Sequence, residues 1–163
     1  MKTLYLIRHA KSDWALITLA DIDRPLNNRG YTDAHKMSAL MQSKNILPDE
    51  IITSPAVRAI STALIFARSC NYYAERIKIH PTLYHSNTEQ YLNTIALADN
   101  KANTLFLFAH NPVITDCANA LLKNTIDEIP TCGIVGIRSN SDRWETFSEN
   151  ECELILFDFP KNH

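Results

Sequence analysis

The chain has 163 residues, 45% of them hydrophobic and 21% charged, with a formal net charge of -2 at pH 7. This is the length and composition of one globular domain, expected to span residues 1–163, and it leaves no cationic excess for nucleic acid. No apolar run approaches the roughly 20 residues that cross a bilayer, and the N-terminus runs directly into a strand pattern without a secretory segment. A cytoplasmic monomer with no membrane or nucleic-acid partner is expected.

The four cysteines, Cys70, Cys117, Cys132 and Cys152, show no Cys-x-x-Cys spacing and read as reduced and mostly structural. None of the six histidines falls in a His-x-x-x-His or His-Glu-x-x-His pattern, so neither a metal nor a cofactor is expected. Only three glycines occur, Gly30, Gly133 and Gly136, and none closely follows the first strand. That excludes a dinucleotide fingerprint or a P-loop, because backbone amides approach phosphate closely only where glycine permits it. Any phosphate must be held by side chains.

The first element is the apolar run Thr3-Leu4-Tyr5-Leu6-Ile7, which ends abruptly on Arg8 and His9 and reads as a strand buried on both faces. In an open sheet flanked by helices, ligands bind at the carboxyl ends of the strands. A charged pair after a strand is by itself the ordinary start of a solvated loop. Residues 11–23 lack a clear period and read as a loop over the strand end, closed by Arg24-Pro25-Leu26. Asn27 reads as the N-cap of a helix reaching about position 43, with Ala34, Met37, Leu40 and Met41 on one face.

Glu50-Ile51-Ile52-Thr53 predicts a second buried strand, and Ser54-Pro55 a helix start with a capping hydroxyl and a proline at the first helical position. That helix is expected to turn Val57, Ile60, Leu64 and Ala67 inward and to place Arg58 in its first turn. A cation there opposes the helix dipole unless an anion binds nearby. A third strand is expected over residues 77–80 and a helix from Asn87 or Thr88 to about 99, with Tyr91, Leu92, Ile95 and Ala98 inward.

Leu105-Phe106-Leu107-Phe108-Ala109 is the most hydrophobic strand and is expected to be central. It ends on His110-Asn111-Pro112, and a helix follows over 113–122. Two histidines and two arginines thus fall at matching positions of the sheet. Residues 133–138 and 152–159 read as antiparallel strands joined by an exposed connection from which only Trp144 is excepted. The pattern is α/β, a mostly parallel sheet with antiparallel C-terminal additions.

Three segments carry a family resemblance. Leu6-Ile7-Arg8-His9-Ala10 resembles the Arg-His-Gly signature of the histidine phosphatase (phosphoglycerate mutase-like) superfamily. The segment Ser54-Pro55-Ala56-Val57-Arg58-Ala59-Ile60-Ser61-Thr62-Ala63 is similar to its Ser-Pro-x-x-Arg-Ala-x-x-Thr-Ala segment, and Ala109-His110-Asn111-Pro112 matches the context of its second histidine. Within that superfamily, the short length, Asp23-Arg24-Pro25-Leu26 followed by Gly30, and Leu83-Tyr84-His85 are most similar to the SixA-type phosphohistidine phosphatases. Two departures stand out: Ala10 replaces the usual glycine, and Tyr84 stands where phosphomonoesterase and mutase members carry an acid.

The resemblance implies a single-domain, three-layer phosphoglycerate mutase-like sandwich with helices on both faces of the sheet. It implies a metal-independent phosphatase in which His9 attacks phosphorus and becomes a covalent phosphohistidine, with Arg8, Arg58 and His110 around the phosphoryl oxygens. Arg24 would join as a substrate-binding residue or serve in a structural salt bridge. An alkoxide leaving group needs a proton donor more than an imidazole does, so the missing acid favours a phosphohistidine substrate on a protein. His85, Glu89 or water remain as donors for an ester. The alternatives are a small-molecule phosphomonoesterase and a catalytically weak module that binds phosphate or a phosphoprotein.

Overall fold

The two apolar runs ending in histidine lie side by side. In the computed structural model, which describes residues 1–123 and 125–163, β1 (Lys2–Arg8) pairs in parallel with β4 (Thr104–Ala109) at the centre of a six-stranded sheet. Strands buried on both faces have no solvated side to alternate towards, which accounts for their unbroken apolar sequences. On one side of this pair, β2 (Glu50–Thr53) runs parallel to β4, and the short, exposed β3 (Lys78–Ile79) runs parallel to β2. On the other, β5 (Ile134–Ser139) is antiparallel to β1, and β6 (Cys152–Asp158) is antiparallel to β5.

The period of two along the strands divides the core into two halves. Leu4, Leu6, Leu105 and Leu107 pack on one face with Tyr91 and Ile95 of α3 (Thr88–Ala96) and Ile114 and Cys117 of α4 (Val113–Leu122). Tyr5, Ile7, Phe106 and Phe108 pack on the other with Met37 and Met41 of α1 (Asn28–Ser43) and Phe66 and Ala67 of α2 (Val57–Ser69). This is the expected single α/β domain with helices on both faces. The four cysteines are free. Among the described residues, no helix is long and apolar enough to cross a membrane.

The loop after β1 is tied down at its base. Asn27 caps α1 by accepting the Gly30 N–H at 2.8 Å, and the Lys11 carbonyl accepts the Asn27 N–H at 3.0 Å. The approach is so close that a Cβ on Gly30 would collide with the Lys11 carbonyl oxygen. A bridge between Ser12 and Leu26 closes the loop above this point.

Five local expectations are corrected. Ser54-Pro55 does not open α2, which begins at Val57 with Ala56 at the N-cap; Ser54 Oγ accepts the Ala56 N–H within the preceding turn. The buried face of α2 is Arg58, Ala59, Thr62, Ala63 and Phe66, while Val57, Ile60 and Leu64 are only half-buried. The helix is rotated because Arg58 and Thr62 make buried polar contacts at the strand ends, which outweigh the apolar stripe. The third strand shrinks to two residues at the sheet edge, and α3 stops at Ala96. The 139–150 connection is not simply exposed, because a 3₁₀ turn over Trp144–Glu149 buries Phe147 as well as Trp144.

Candidate active site

The register of the central strands determines which side chains meet. Arg8 is opposite Ala109, and the His9 N–H continues the ladder to the Ala109 carbonyl at 3.2 Å, so His9 and His110 leave adjacent strands at the same level. Their ring centroids lie 5.1 Å apart. One strand further out, Ser54 follows β2 and sets its Oγ 2.7 Å from His110 Nε2. Arg58 reaches in from the first turn of α2. Arg8, His9, Arg24, Arg58 and His110 all line one cavity of about 300 Å³, with Lys11, Trp14 and Asn111 on its rim.

His9 is held in one tautomer. Its Nδ1 lies 2.8 Å from the Ala10 carbonyl, which can only accept, so Nδ1 carries the hydrogen and Nε2 the lone pair. Nε2 in turn accepts from Arg58 Nε at 3.3 Å. Burial, together with the neighbouring His110, Arg58 and Arg8, pushes the His9 pKa down to about 3, so the ring is neutral at neutral pH. Ala10 is fully buried without a left-handed backbone, and its N–H donates to Thr62 Oγ1 at 3.0 Å. The exchange of glycine for alanine therefore costs no strain here.

Two buried polar atoms in the cavity wall, Arg8 Nε and His110 Nδ1, lack hydrogen-bond partners among the described residues. Ser54 Oγ accepts the Ala56 N–H and lies 2.7 Å from His110 Nε2, with either of the two able to donate to the other. Arg8 Nη1 donates to Glu128 Oε1 and to the Ile129 carbonyl, both at 2.9 Å. Burial and the Arg58 charge lower the His110 pKa to about 4. Unsatisfied buried polar atoms are rare in folded proteins, and these two belong to residues that line the cavity.

Asp21, on a 3₁₀ turn of the loop after β1, organises the remaining cations. Its Oδ1 accepts from Arg24 Nε and Nη2 at 3.1 and 3.0 Å, and its Oδ2 from Arg58 Nη2 at 3.0 Å and from the Tyr84 hydroxyl at 2.7 Å. Its carbonyl accepts from Arg58 Nη1 at 2.7 Å. Burial alone would raise the Asp21 pKa, but the hydrogen bonds from Tyr84, Arg24 and Arg58 hold it well below the usual carboxylate range. Arg24 also donates to Ser12 Oγ at 2.6 Å and stacks on Trp14, its guanidinium carbon 3.5 Å from the ring centroid. It thus lines the cavity and forms the salt bridge that was one of its two expected roles.

Sequence reasoning missed Asp21 and misassigned Ser54. Asp21 sits in a stretch without periodicity, and the Ser-Pro pair reads locally as a helix cap. Tyr84, singled out for occupying the place of an acid, is the group that fixes Asp21. His85 stacks on Tyr84 with centroids 4.1 Å apart, while Glu89 is exposed in the first turn of α3; neither lines the cavity. Among the described residues, no cluster of three or more His, Cys, Asp or Glu could hold a metal ion.

The two depressed histidines make stability depend on pH. In the unfolded chain they take up protons below about pH 6.5, whereas in the folded chain they stay neutral until about pH 4 and 3, so acid favours unfolding across that window. Urea titrations at pH 7 and pH 4.5 should show His110→Gln losing less stability than the parent between the two values. The expected difference is of the order of 2 kcal/mol. Equal losses would show that His110 protonates as readily when folded as when unfolded.

Comparison with known proteins places this geometry. The sequence profile of the histidine phosphatase superfamily (branch 1) matches residues 4–94, more than half of the chain. An uncharacterized protein of Picosynechococcus sp. is 28% identical over 174 residues, covering 97% of this chain and 96% of that one. The SixA protein of Agrobacterium tumefaciens superposes with a TM-score of 0.82 at 27% identity, covering 96% of this chain and 97% of its own. The protein histidine phosphatase SixA solved with tungstate gives 0.84 at 16% identity with 98% of each chain covered, a likeness of fold. With its profile match spanning both β1 and α2 and its fold shared throughout, the chain belongs to the histidine phosphatase superfamily.

Proposed function

We propose that this protein is a phosphohistidine phosphatase that acts on a phosphorylated histidine of another protein. Superfamily membership and the SixA-like fold support a phosphatase. The observation that carries the finer reading is the state of Asp21, the carboxylate that bridges Arg24 and Arg58. Asp21 is held ionised by Arg24, Arg58 and Tyr84, so it offers no proton to a departing alkoxide at neutral pH. A phosphorylated imidazole needs none from the enzyme once its own ring is protonated, because it leaves as neutral imidazole.

In the proposed reaction the His9 Nε2 lone pair attacks phosphorus while the bond to the substrate nitrogen breaks, and that nitrogen keeps the bonding pair. Arg8 and His110, which line the cavity, donate to the phosphoryl oxygens, and Arg58 supplies charge beside the attacking nitrogen. Water then attacks phospho-His9, releasing orthophosphate and restoring the His9 lone pair. Throughout, the Ala10 carbonyl keeps the ring in the tautomer that exposes Nε2.

The test compares kcat/KM for a chemically phosphorylated histidine-phosphotransfer domain with that for 3-phosphoglycerate and glucose 6-phosphate. The expected preference for the protein is at least about 100-fold, or about 2.7 kcal/mol of transition-state discrimination. Equal or faster turnover of a small ester would instead make the protein a phosphomonoesterase.

A further inference from the structure

The loop between β1 and α1 carries a feature that the catalytic cavity does not need. Trp14, Leu16, Ile17 and Leu19, four large apolar side chains within six residues, are 67%, 59%, 92% and 36% exposed. Single exposed apolar residues are ordinary, but a cluster at the mouth of a site marks an interaction surface. Trp14 is not loosely placed, since its ring lies on the Arg24 guanidinium. The base of the loop is fixed by the Ser12–Leu26 bridge and by the Asp13 N–H donating to the Pro25 carbonyl at 2.8 Å. The apolar tip is therefore presented on a fixed stem.

The surface continues across the site. The apolar residues line a depression of about 300 Å³ that shares Trp14 and Arg24 with the catalytic cavity. A further groove of about 370 Å³ shares Lys11 and Thr131 with that cavity and adds Arg29 and Lys161; its lining holds three cations and no carboxylate. A small phosphate ester fills the central cavity alone. Only a ligand with a broad face of its own engages all three parts at once.

We infer that the apolar loop tip at Leu16, Ile17 and Leu19 and the basic groove at Lys11, Arg29 and Lys161 together form a docking surface for a folded protein. That partner presents phosphohistidine between an apolar patch and a cluster of carboxylates. The inference rests on the phosphohistidine reading above. Charge complementarity selects the partner: carboxylates beside its phosphohistidine meet the basic groove, and its apolar side chains cover Ile17. Long-range attraction speeds the encounter, and apolar contact slows dissociation.

The experiment measures steady-state hydrolysis of a chemically phosphorylated four-helix histidine-phosphotransfer domain and of free phosphohistidine by the parent, Ile17→Asp and Lys161→Glu. Both replaced side chains are exposed, so folding is little affected. For each variant kcat/KM on the protein substrate should fall at least 10-fold, mostly through KM, with less than a twofold change on free phosphohistidine. Raising salt from 50 to 300 mM should lower the parent's rate on the protein more steeply than on the amino acid. Equal effects of Ile17→Asp on both substrates, or on neither, overturn the docking surface while leaving the phosphatase assignment intact. A parent that hydrolyses neither substrate removes the functional reading and the docking surface with it. Binding to anionic vesicles, or self-association, that Ile17→Asp abolishes would give the loop to a lipid surface or to a second copy of the chain.

Discussion

His9→Ala should abolish turnover of phosphohistidine, by at least about four orders of magnitude in kcat, because no other group can replace a nucleophile that carries the phosphoryl group. Among the described residues that line the cavity, His110 is the other imidazole, and its Nε2 is turned to Ser54. Tungstate binding should survive within about threefold, because the charge attraction comes from Arg8, Arg24 and Arg58, which the substitution leaves in place. Rapid quenching of the parent with labelled substrate should put acid-labile phosphate on His9. Label on His110, or a His9→Ala enzyme within tenfold of the parent, would remove the covalent role assigned to His9.

The second large effect belongs to Arg58. Its Nε meets His9 Nε2 at 3.3 Å, its Nη1 the Asp21 carbonyl at 2.7 Å and its Nη2 the Asp21 carboxylate at 3.0 Å, so one guanidinium serves three partners in fixed directions. Arg58→Lys keeps the charge and loses the fork. We expect kcat/KM to drop by about 100- to 1000-fold, equivalent to about 2.7–4 kcal/mol of lost transition-state stabilisation. Asp21 would then lose two of its donors, and its pKa should rise towards the ordinary carboxylate value. Full activity in Arg58→Lys would mean that charge alone suffices and that the bonds to His9 and Asp21 are incidental.

The arginine and histidine of β1 and the histidine after β4 were readable because an apolar run that stops abruptly leaves one choice for the end of a buried strand, and parallel neighbours in register bring equivalent ends together. Arg58 was readable as a first-turn residue. The face of α2 was not, because its rotation is decided by contacts with His9, Asp21 and Ala10 that lie far away in sequence. The same holds for Asp21 and Ser54. Their roles depend on the path of a loop and on a neighbouring strand's histidine, and neither leaves a periodic trace. The third strand was overread because its alternation reflects an edge exposed to solvent, where pairing is short.

The Asp21 carboxylate also has a bearing on how the reaction ends. Three arginines, Arg8, Arg24 and Arg58, face two carboxylates, Asp21 and Glu128, so the pairs leave one net positive charge, to which Lys11 on the rim adds a second. A wall of three bare guanidinium groups would hold orthophosphate tightly and clog with its own product. Internal anions already occupy part of each fork, so product must compete for donors that have somewhere else to go. In the proposed reaction, turnover in a phosphate-rich solution would thereby be protected by the same aspartate that aligns the cations.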